Sequence, residues 1–257
     1  MKIPLLLDVK RLAVQDGPGI RTAFFVKGCP LRCVWCHNPE SQSPEQQVAR
    51  FQHLCSHCAH CRMDEATCPT RAFKLYGKPM SIPEIVAKAL EDKAFYDESG
   101  GGVTLSGGEP LLFSEWTAEL LRAFKAAGLH TCLDTSLFAT PEVLDALLPV
   151  TDMWLPDFKA LDDDLHRRCT GVSNAPVMRN LRRLAAAGAK MEVRCLAVPG
   201  LTDGADLAAR HDWLMSIGVP CSAIVDLEYH DFARSKYLAL GMPDTMPAIP
   251  PGPCNCN

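Results

Sequence analysis

The chain has 257 residues, 47% of them hydrophobic and 22% charged, with a formal net charge of −4. These values predict a globular protein of one large domain, or of one domain with a small insert. The weak negative charge, with no dense block of Lys and Arg, argues against nucleic-acid binding, and the lack of a long apolar run argues against a membrane span.

Near the start of the chain, a short apolar stretch is interrupted by Asp8. It is too short for the apolar region of a signal peptide, so a cytoplasmic location is predicted.

The first predicted strand, Thr22–Val26, ends just before a C-x3-C-x2-C run formed by Cys29, Cys33 and Cys36. A 4Fe–4S cluster is usually held by four cysteines, so three thiolates leave one iron free to bind a small molecule. Zinc is the alternative for a cysteine triplet, and His37 could then be the fourth ligand. Because His37 directly follows Cys36, that geometry would be cramped. The run therefore favours an iron–sulfur cluster of the kind that an enzyme would use.

Residues 44–80 are rich in cysteine and have no amphipathic period, so they are predicted to form an insert in the main unit, residues 1–43 and 81–257. Clustered cysteines in a reducing compartment indicate metal rather than disulfides. Their spacing resembles that of bacterial ferredoxin and predicts an auxiliary 4Fe–4S cluster held by Cys55, Cys58, Cys61 and Cys68. The last gap is six residues rather than three, which leaves the part of Cys68 open. Interleaved histidines keep zinc as the alternative, namely His53, His57 and His60.

Beyond residue 100, short apolar runs alternate with amphipathic segments. The predicted strands are Val103–Ser106, His130–Asp134, Met153–Phe158, Met191–Val198 and Ala223–Leu227. The predicted helices are Ser114–Ala127, Pro141–Leu148, Ala175–Ala187 and Ala205–Ile217, and three of them are followed by the capping residues Gly128, Gly188 and Gly218. Such alternation predicts an α/β fold with parallel strands and right-handed crossovers. Together with Thr22–Val26 the strands number six, too few for a closed barrel. We predict a partial (β/α)6 TIM-like barrel with a small ferredoxin-like insert, an open sheet being the alternative, and chemistry at the carboxyl ends of the strands.

Cysteines outside these two sets are isolated along the chain. Four of them are predicted to be small buried hydrophobic residues: Cys132, Cys169, Cys195 and Cys221. Two more, Cys254 and Cys256, lie in a Pro-rich tail and could add a metal ligand or form a pair, although a loose reduced tail is favoured. After Gly241 no clear final helix is predicted, so one edge of the barrel is expected to be less covered, or to be covered by a partner protein.

Several motifs resemble one enzyme family. The C-x3-C-x2-C run is similar to the signature of the radical S-adenosylmethionine (SAM) superfamily. DGPGIR at Asp16–Arg21, CHNPES at Cys36–Ser41 and SGGGVTLSGGEPLL at Ser99–Leu112 resemble motifs of glycyl-radical enzyme activating enzymes. Further similar motifs are LDTS at Leu133–Ser136, DFKALD at Asp157–Asp162, TGVSN at Thr170–Asn174 and VPGLTD at Val198–Asp203. The resemblance covers residues 8 to about 242, and the family includes the pyruvate formate-lyase activating enzyme.

This resemblance implies a reaction. SAM would chelate the open iron through its amino and carboxylate groups, and one electron would split it into methionine and a 5′-deoxyadenosyl radical. The radical would take a hydrogen atom from a backbone glycine of a partner glycyl-radical enzyme. Flavodoxin or ferredoxin would supply the electron under anaerobic conditions, and the chain itself is expected to be a monomer. The alternatives are a radical SAM enzyme that acts on a small molecule or peptide, and a non-catalytic iron–sulfur or zinc protein that passes electrons or scaffolds a complex.

Candidate SAM contacts follow from the strand ends. Gly107 and Gly108 let the backbone approach a ligand closely, and the resemblance makes the Gly108–Glu109 corner a contact for the methionine amino group. Asp134 and Asp157 each close a strand, and two carboxylates there would repel unless a cation lay between them. The resemblance assigns these two residues to a monovalent cation and to the SAM carboxylate.

Further candidates lie close to these. Lys159 is two residues from Asp157, so both share a face of an extended strand, and Lys159 is predicted to meet the cofactor and take part in catalysis. The alternative for Lys159 is a solvent-exposed strand end. Arg194 is predicted to point to the mouth, with a buried ion pair as the alternative. The resemblance makes His230 a ribose contact, and Trp35 and His37 are also predicted cofactor contacts.

DGPG, GGEP and D-x-K are expected to lie together at strand ends. Leu137 stands where the family commonly has Gly, which is expected to alter the loop that faces the partner glycine.

Overall fold

A five-stranded sheet with strand order β1-β2-β5-β6-β7 forms the centre of the protein. The structure is a computed structural model, and it describes residues 2–249. In that part of the chain the strands are β1 (Leu6–Ala13), β2 (Arg21–Val26), β3 (Gln47–Arg50), β4 (Phe73–Tyr76), β5 (Gly102–Gly107), β6 (Thr131–Thr135), β7 (Met153–Pro156), β8 (Val193–Ala197) and β9 (Ile224–Glu228). The α-helices are α1 (Ile82–Leu90), α2 (Lys93–Ser99), α3 (Ser114–Ala126), α4 (Pro141–Leu147), α5 (Asp163–Thr170), α6 (Ala175–Ala186), α7 (Gly204–Ser216) and α8 (Arg234–Ala239). Cys254 and Cys256 lie outside the described residues.

The strands that follow the cysteine run are parallel. β2 pairs with β5, β5 with β6 and β6 with β7, all in parallel, whereas β1 is antiparallel to β2. β8 and β9 form a separate parallel pair. Single bridges from Trp154 to Met191 and from Asp157 to Arg194 place β8 next to β7. Because these strands run the same way, their carboxyl ends lie along one edge, and the predicted mixed α/β class is confirmed.

Helices cover the sheet where the apolar pattern predicted them. Helices α3, α4, α6 and α7 lie within one residue of the predicted bounds, and the glycines after three of them adopt left-handed conformations, with φ of 74° at Gly128, 64° at Gly188 and 90° at Gly218. Their buried faces pack on the strands in one continuous core that includes Phe24, Leu105, Trp116 and Trp154. Dense packing of this kind fixes the strand ends relative to one another.

Four helices and three strands were not predicted, the strands being β1 and the short pair β3 and β4 in the cysteine-rich segment. α1, α2, α5 and α8 are short, and β1 is largely exposed, so each shows only a brief apolar period. Local chemistry nevertheless defines one of these ends: Ser81 and Glu84 form a reciprocal capping box at the start of α1. No helix follows Gly241 within the described residues, although α8 comes just before it.

The cysteine-rich segment is built on a hairpin. β3 and β4 pair antiparallel, with Gln47 opposite Tyr76 and Arg50 opposite Phe73. The chain after β4 joins the edge of the main sheet through reciprocal backbone bonds between Leu6 and Lys78, at 2.9 and 2.8 Å. The hairpin therefore rests on β1 rather than on the parallel strands.

The isolated cysteines divide into two groups. Cys132, Cys169 and Cys195 are buried, as predicted. Cys221 is exposed, so the prediction was wrong for this residue, which lies in a turn just before β9 rather than in a strand.

Across residues 2–249, the helices are all too short or too polar to span a membrane.

Candidate active site

A cavity of about 620 Å³ opens at the carboxyl edge of the parallel strands. Its walls come from the loop after β2, from the ends of β5, β6 and β7, and from β8 and β9. Most of the predicted site residues line it together: Cys29, Cys33, Trp35, Cys36, His37, Gly107, Gly108, Asp134, Asp157, Lys159, Arg194 and His230. The strand order thus gathers residues as far apart in the sequence as Cys29 and His230.

The loop that carries the first three cysteines, residues 28–37, is held by backbone hydrogen bonds on both sides. The amide of Gly28 donates to the carbonyl oxygen of Ser41 at 2.7 Å, and the amide of Val34 donates to that of Cys169 at 2.8 Å. Trp35 is buried against Cys169 and Val198. We call this segment the cysteine loop. Its attachments fix where the thiols lie before any ligand binds.

The thiols of the cysteine loop are poorly solvated. Burial raises the pKa of Cys29 and of Cys33 to about 12 each, and burial also raises the pKa of Cys36. All three are therefore neutral thiols at neutral pH unless a positive charge compensates them. A metal cluster supplies such a charge and binds the thiolate form. The donor set, three thiols on one loop beside an open cavity, fits a 4Fe–4S cluster with one iron free of protein ligands.

The two glycines after β5 allow close contact between two backbones. An added Cβ at Gly107, where φ is 122°, would lie 2.2 Å from the amide nitrogen of Val26. One at Gly108 would lie 2.2 Å from the carbonyl oxygen of Gly28. The amide of Glu109 also donates to that Gly28 oxygen at 2.8 Å. These glycines therefore set the cysteine loop against β5, in addition to lining the cavity.

Glu109 lies behind the cavity wall rather than in it. Its carboxylate is fully buried and accepts hydrogen bonds from the Thr135 hydroxyl at 2.6 Å, from the Leu111 amide at 3.0 Å and from the Ser136 amide at 2.8 Å, as well as from the Ser136 hydroxyl. Burial raises the pKa of Glu109, and these donors oppose that rise. The glutamate connects the end of β5 to the end of β6.

In the loop after β6, Leu137 has a backbone conformation that glycine favours. Leu137 has φ of 58°, a left-handed conformation that β-carbons disfavour, and its side chain is fully buried in the core. The Asn180 amide donates to the carbonyl oxygens of Leu137 and Ala139, at 2.9 Å each. The departure from the family pattern thus changes the core rather than the exposed face of the loop.

Opposite charges meet where β6 and β7 end and β8 begins. Asp134 accepts a hydrogen bond from the Ser106 hydroxyl at 2.6 Å, and its Oδ1 lies 3.8 Å from Nη1 of Arg194. Burial raises the pKa of Asp134 to about 6; Arg194 lowers this pKa and Asp157 raises it. One arginine therefore offsets only part of the cost of placing two carboxylates together.

Lys159 is close to Asp157 and to the cysteine loop. Its Nζ lies 3.1 Å from Oδ2 of Asp157, and the side chain is only 15% exposed, so the solvent-exposed alternative does not hold. Burial lowers the pKa of Lys159, but Asp157 and Cys33 outweigh burial and raise this pKa overall. The lysine stays charged beside the thiols.

A stack of aromatic rings forms the rim near β9. The rings of His37 and His230 are 4.1 Å apart, and those of His230 and Phe232 are 4.5 Å apart. Nε2 of His37 donates to the His230 carbonyl oxygen at 2.7 Å, and Lys236 of α8 donates to the His37 carbonyl oxygen at 2.9 Å. The unpredicted helix α8 therefore supports the cysteine loop from outside.

DGPG is the one motif that lies away from the other strand ends. It precedes β2, at the amino edge of the sheet, whereas GGEP and D-x-K follow β5 and β7 at the carboxyl edge. The expectation that all three lie together was wrong for Gly17, Pro18 and Gly19, whereas Asp16 lines the same cavity as Gly107 and Asp157. An added Cβ at Gly101 would lie 1.8 Å from the Ile20 oxygen, so the DGPG and SGGG segments pack backbone against backbone. Only Gln15 and Asp16 reach the cavity, at its base, where Arg194 donates to the Gln15 carbonyl oxygen at 2.8 Å.

The second cysteine set lies apart from the cavity, between the two strands of the hairpin. Cys55 and Cys68 are half-buried, whereas Cys58 and Cys61 are exposed. Hydrogen bonds from the His57 backbone and from Arg50 lower the pKa of Cys55, and a bond from Thr70 lowers the pKa of Cys68. Cys55 and Cys68 are therefore biased toward the thiolate form that binds metal.

Sequence reasoning missed several polar residues in the cavity wall: Gln15, Asp16, Asn38, Ser106, Thr135, Ser136, Glu192 and Glu228. Ser106 could have been found, because it alternates with the core residue Leu105 on β5 and so points to the opposite face. Glu192 precedes β8 and Glu228 ends β9, and no local pattern shows on which face of the strands their side chains lie.

The sequence and the fold are both similar to those of known proteins. The family model of the radical SAM superfamily matches residues 24–210. The chain is 37% identical to the benzylsuccinate synthase activating enzyme of Thauera aromatica, over 94% of this chain and 83% of that protein. It is 35% identical to the (2S)-3-sulfopropanediol dehydratase activating enzyme of Klebsiella oxytoca, over 94% of this chain and 87% of that protein. In structure it is similar to Streptococcus suis SuiB bound to precursor peptide SuiA, with a TM-score of 0.56 and 13% identity, over 82% of this chain and 39% of that one; this likeness concerns the fold alone.

Proposed function

We propose that this chain, which belongs to the radical SAM superfamily and within it to the activating enzymes of glycyl-radical enzymes, places a radical on a glycine of a partner protein. One observation carries the proposal. Three thiols of one loop open onto a cavity whose other walls hold Asp134, Asp157, Lys159 and Arg194. Thiols suit an iron–sulfur cluster, and the mixed charges suit a zwitterionic, cationic ligand such as SAM.

The cysteine loop would hold the cluster through Cys29, Cys33 and Cys36. When bound, such a cluster would supply the electron for the reductive cleavage of SAM to methionine and the 5′-deoxyadenosyl radical that takes a hydrogen atom from glycine. Lys159 keeps a positive charge next to these thiols, which favours their thiolate forms. Buried Trp35 and the hydrogen bonds of residues 28–37 would hold the loop in position.

SAM recognition would divide among three groups of residues. The backbone of Gly107 and Gly108 would face the methionine amino group, because Glu109 is engaged with its four donors and positions the loop after β6 instead. Arg194 and Lys159 would meet the carboxylate.

The adenosine end of SAM would lie at the aromatic rim. His230 would contact the ribose, and its ring is held in place by the stack with His37 and Phe232. Stacked rings offer flat apolar faces together with polar edges, which suits a nucleoside.

A monovalent cation would complete the charged end of the cavity. Asp157 raises the cost of ionising Asp134, and Arg194 is 3.8 Å away rather than in close contact with Asp134. A cation beside them would lower that cost and would leave Arg194 free for the ligand.

The fold would be a partial (β/α)6 barrel formed by β2 and β5 to β9. Support comes from the parallel order of these strands and from the bridges that join β7 to β8. Residues 44–80 would form a ferredoxin-like insert in a main unit of residues 1–43 and 81–257. Cys55, Cys58, Cys61 and Cys68 would hold an auxiliary 4Fe–4S cluster, supported by the lowered pKa values of the first and last of these thiols.

Partners follow from the chemistry. A flavodoxin or ferredoxin would donate the electron, and a monomer would bind one glycyl-radical enzyme at the open edge of the cavity between β9 and β1. Seven cysteines in two sets require a reducing compartment, which favours the cytoplasm, and a carbon radical requires anaerobic conditions.

Formation of 5′-deoxyadenosine tests this proposal. The cluster-loaded protein, SAM and a reductant should form 5′-deoxyadenosine at a rate that rises with added partner enzyme, because the proposed hydrogen donor is a glycine of that enzyme. Consumption of SAM coupled to a small molecule, with no effect of any glycyl-radical enzyme, would instead support the small-molecule alternative.

A further inference from the structure

Three side chains with metal-binding atoms meet on the face of β8 and β9 that points away from the cavity. Cys195 of β8 lies directly opposite Asp226 of β9 in the register of the pair. Their strand neighbours Arg194, Leu196 and Val225 line the cavity. Side chains alternate along a strand, so Cys195 and Asp226 point to the opposite face, where α7 packs.

α7 adds the third group. His211 of this helix places Nε2 at 2.7 Å from Oδ1 of Asp226. The Cys195 sulfur, one His211 ring nitrogen and one Asp226 carboxylate oxygen all lie within 4.8 Å of one another. In a tetrahedral zinc site, bond lengths of about 2.0–2.3 Å separate neighbouring ligand atoms by roughly 3.3–3.8 Å. His211 and Asp226 are closer than this at 2.7 Å and no pair of the three ligand atoms is more than 4.8 Å apart, so a bound ion requires these side chains to shift by about 1 Å.

We propose that Cys195, His211 and Asp226 bind a zinc ion that links β8 and β9 to α7. A thiolate selects zinc over magnesium or calcium, and the affinity order of divalent metals places zinc above iron(II). One thiolate, one carboxylate and a neutral imidazole give a neutral site with Zn²⁺. A water molecule takes the fourth position, as in zinc sites with three protein ligands.

Burial sets how an ion would enter. Cys195 is fully buried, whereas the side chain of His211 is 27% exposed and that of Asp226 is 46% exposed. The ion would arrive from the side of the histidine and carboxylate and displace the proton of the thiol. Burial raises the pKa of Cys195 to about 12, and the charge of nearby Arg210 opposes this rise only in part.

An ion at this location would stabilise the position of β8 and β9. In the described part of the chain, β8 joins the central sheet through isolated bridges rather than a continuous ladder. A metal bonded to both strands and to α7 would fix this pair, and with it Arg194 on the cavity side of β8. The site is independent of the cluster cysteines and does not depend on the proposed reaction.

Anomalous diffraction at the zinc edge tests the assignment on crystals of the cluster-loaded protein grown with zinc. A peak is expected between the three side chains, at a position distinct from the hairpin cysteines. The variants His211→Gln and Asp226→Asn change exposed or half-exposed groups and should fold. Each should lose the peak and weaken zinc binding by more than the roughly 10–100-fold that the loss of an outer-shell partner costs.

The matched control is Asp212→Asn, an exposed carboxylate next to His211 on α7. It should keep the peak and the zinc content of the original protein, and added zinc should raise the unfolding temperature of both but not of His211→Gln. A map with no zinc peak at this position, an iron peak in its place, or equal zinc content in all four proteins overturns the proposal.

Discussion

Glu109 and Ser136 join two neighbouring strand ends at the active-site edge. The Ser136 amide donates to Oε2 of Glu109 at 2.8 Å, and the Ser136 hydroxyl donates to the same oxygen. Because Glu109 is fully buried, this carboxylate acts on the loop after β6 and is screened from a ligand in the cavity.

The variant Glu109→Gln should therefore lose stability as well as activity. An amide has one acceptor oxygen, so at least one buried donor among Leu111, Thr135 and Ser136 is left without a partner, at a cost of about 1–3 kcal/mol. At this chain length the unfolding temperature should fall by about 2–4 °C per kcal/mol, as measured by anaerobic thermal unfolding. The exposed control Glu119→Gln should change little. Equal stability of both variants, with weaker SAM binding only, would mean that Glu109 contacts the ligand directly.

Asp134→Asn should raise the stability of the protein and lower its affinity for SAM. The pKa of Asp134 rises from 3.8 to about 6 in the folded protein, so the folded state binds more protons than the unfolded state between these values. Stability then falls as pH rises through that window, by no more than about 3 kcal/mol. The asparagine variant lacks this loss. It should unfold at a higher temperature than the original protein at about pH 7, and the difference should shrink toward about pH 5.

SAM affinity provides the second measurement for Asp134→Asn, and it should fall even though stability rises. The exposed control Asp164→Asn should alter neither property. A variant that is less stable than the original protein at about pH 7 would show that Asp134 gains more from Arg194 than it loses by burial.

Gly108→Ala should displace the cysteine loop. The added Cβ would lie 2.2 Å from the Gly28 oxygen, and Gly28 directly precedes Cys29. The iron content per chain after anaerobic reconstitution should fall together with the unfolding temperature. Gly128→Ala is the matched control, because its Cβ meets open space and only the left-handed backbone resists, at about 1 kcal/mol. Full iron content in Gly108→Ala would show that the two loops can separate without loss of the cluster.

Leu137→Gly should destabilise the protein even though it restores the residue common in the family. Glycine relieves the strain of φ at 58°, worth about 1 kcal/mol, but removal of a fully buried leucine costs about 2–5 kcal/mol. A net loss of roughly 1–4 kcal/mol is expected from the unfolding temperature. If the variant is instead more stable, the leucine contributes little to the core.

The parallel strands were predictable because a buried strand and an amphipathic helix each carry a strong period. Strand bounds came within two residues at β5 and β7, since Gly and Pro mark their ends. β1 and α8 were missed because they are short or largely exposed, and an apolar pattern cannot reveal an element that buries little.

The cavity residues at the carboxyl ends of the strands were predictable from the sequence, whereas those at the base of the cavity were not. Asp157 and Lys159 directly follow β7, and Cys33 lies in the loop after β2, so the parallel topology brings them to the same edge. Glu109 sits at such a strand end too, yet its side chain turns to Thr135 and Ser136, because buried donors nearby compete for it. The DGPG motif is specific in sequence but acts through backbone contact at the opposite edge, which spacing along the chain does not show.

The most direct test of the central claim is an electron paramagnetic resonance spectrum of the cognate glycyl-radical enzyme after anaerobic incubation with the cluster-loaded protein, SAM and a reductant. We predict a glycyl-radical signal accompanied by one 5′-deoxyadenosine per radical formed, and loss of both with Cys33→Ala. A protein that holds its cluster and cleaves SAM, yet leaves every candidate glycyl-radical enzyme without this signal, would contradict the proposed function.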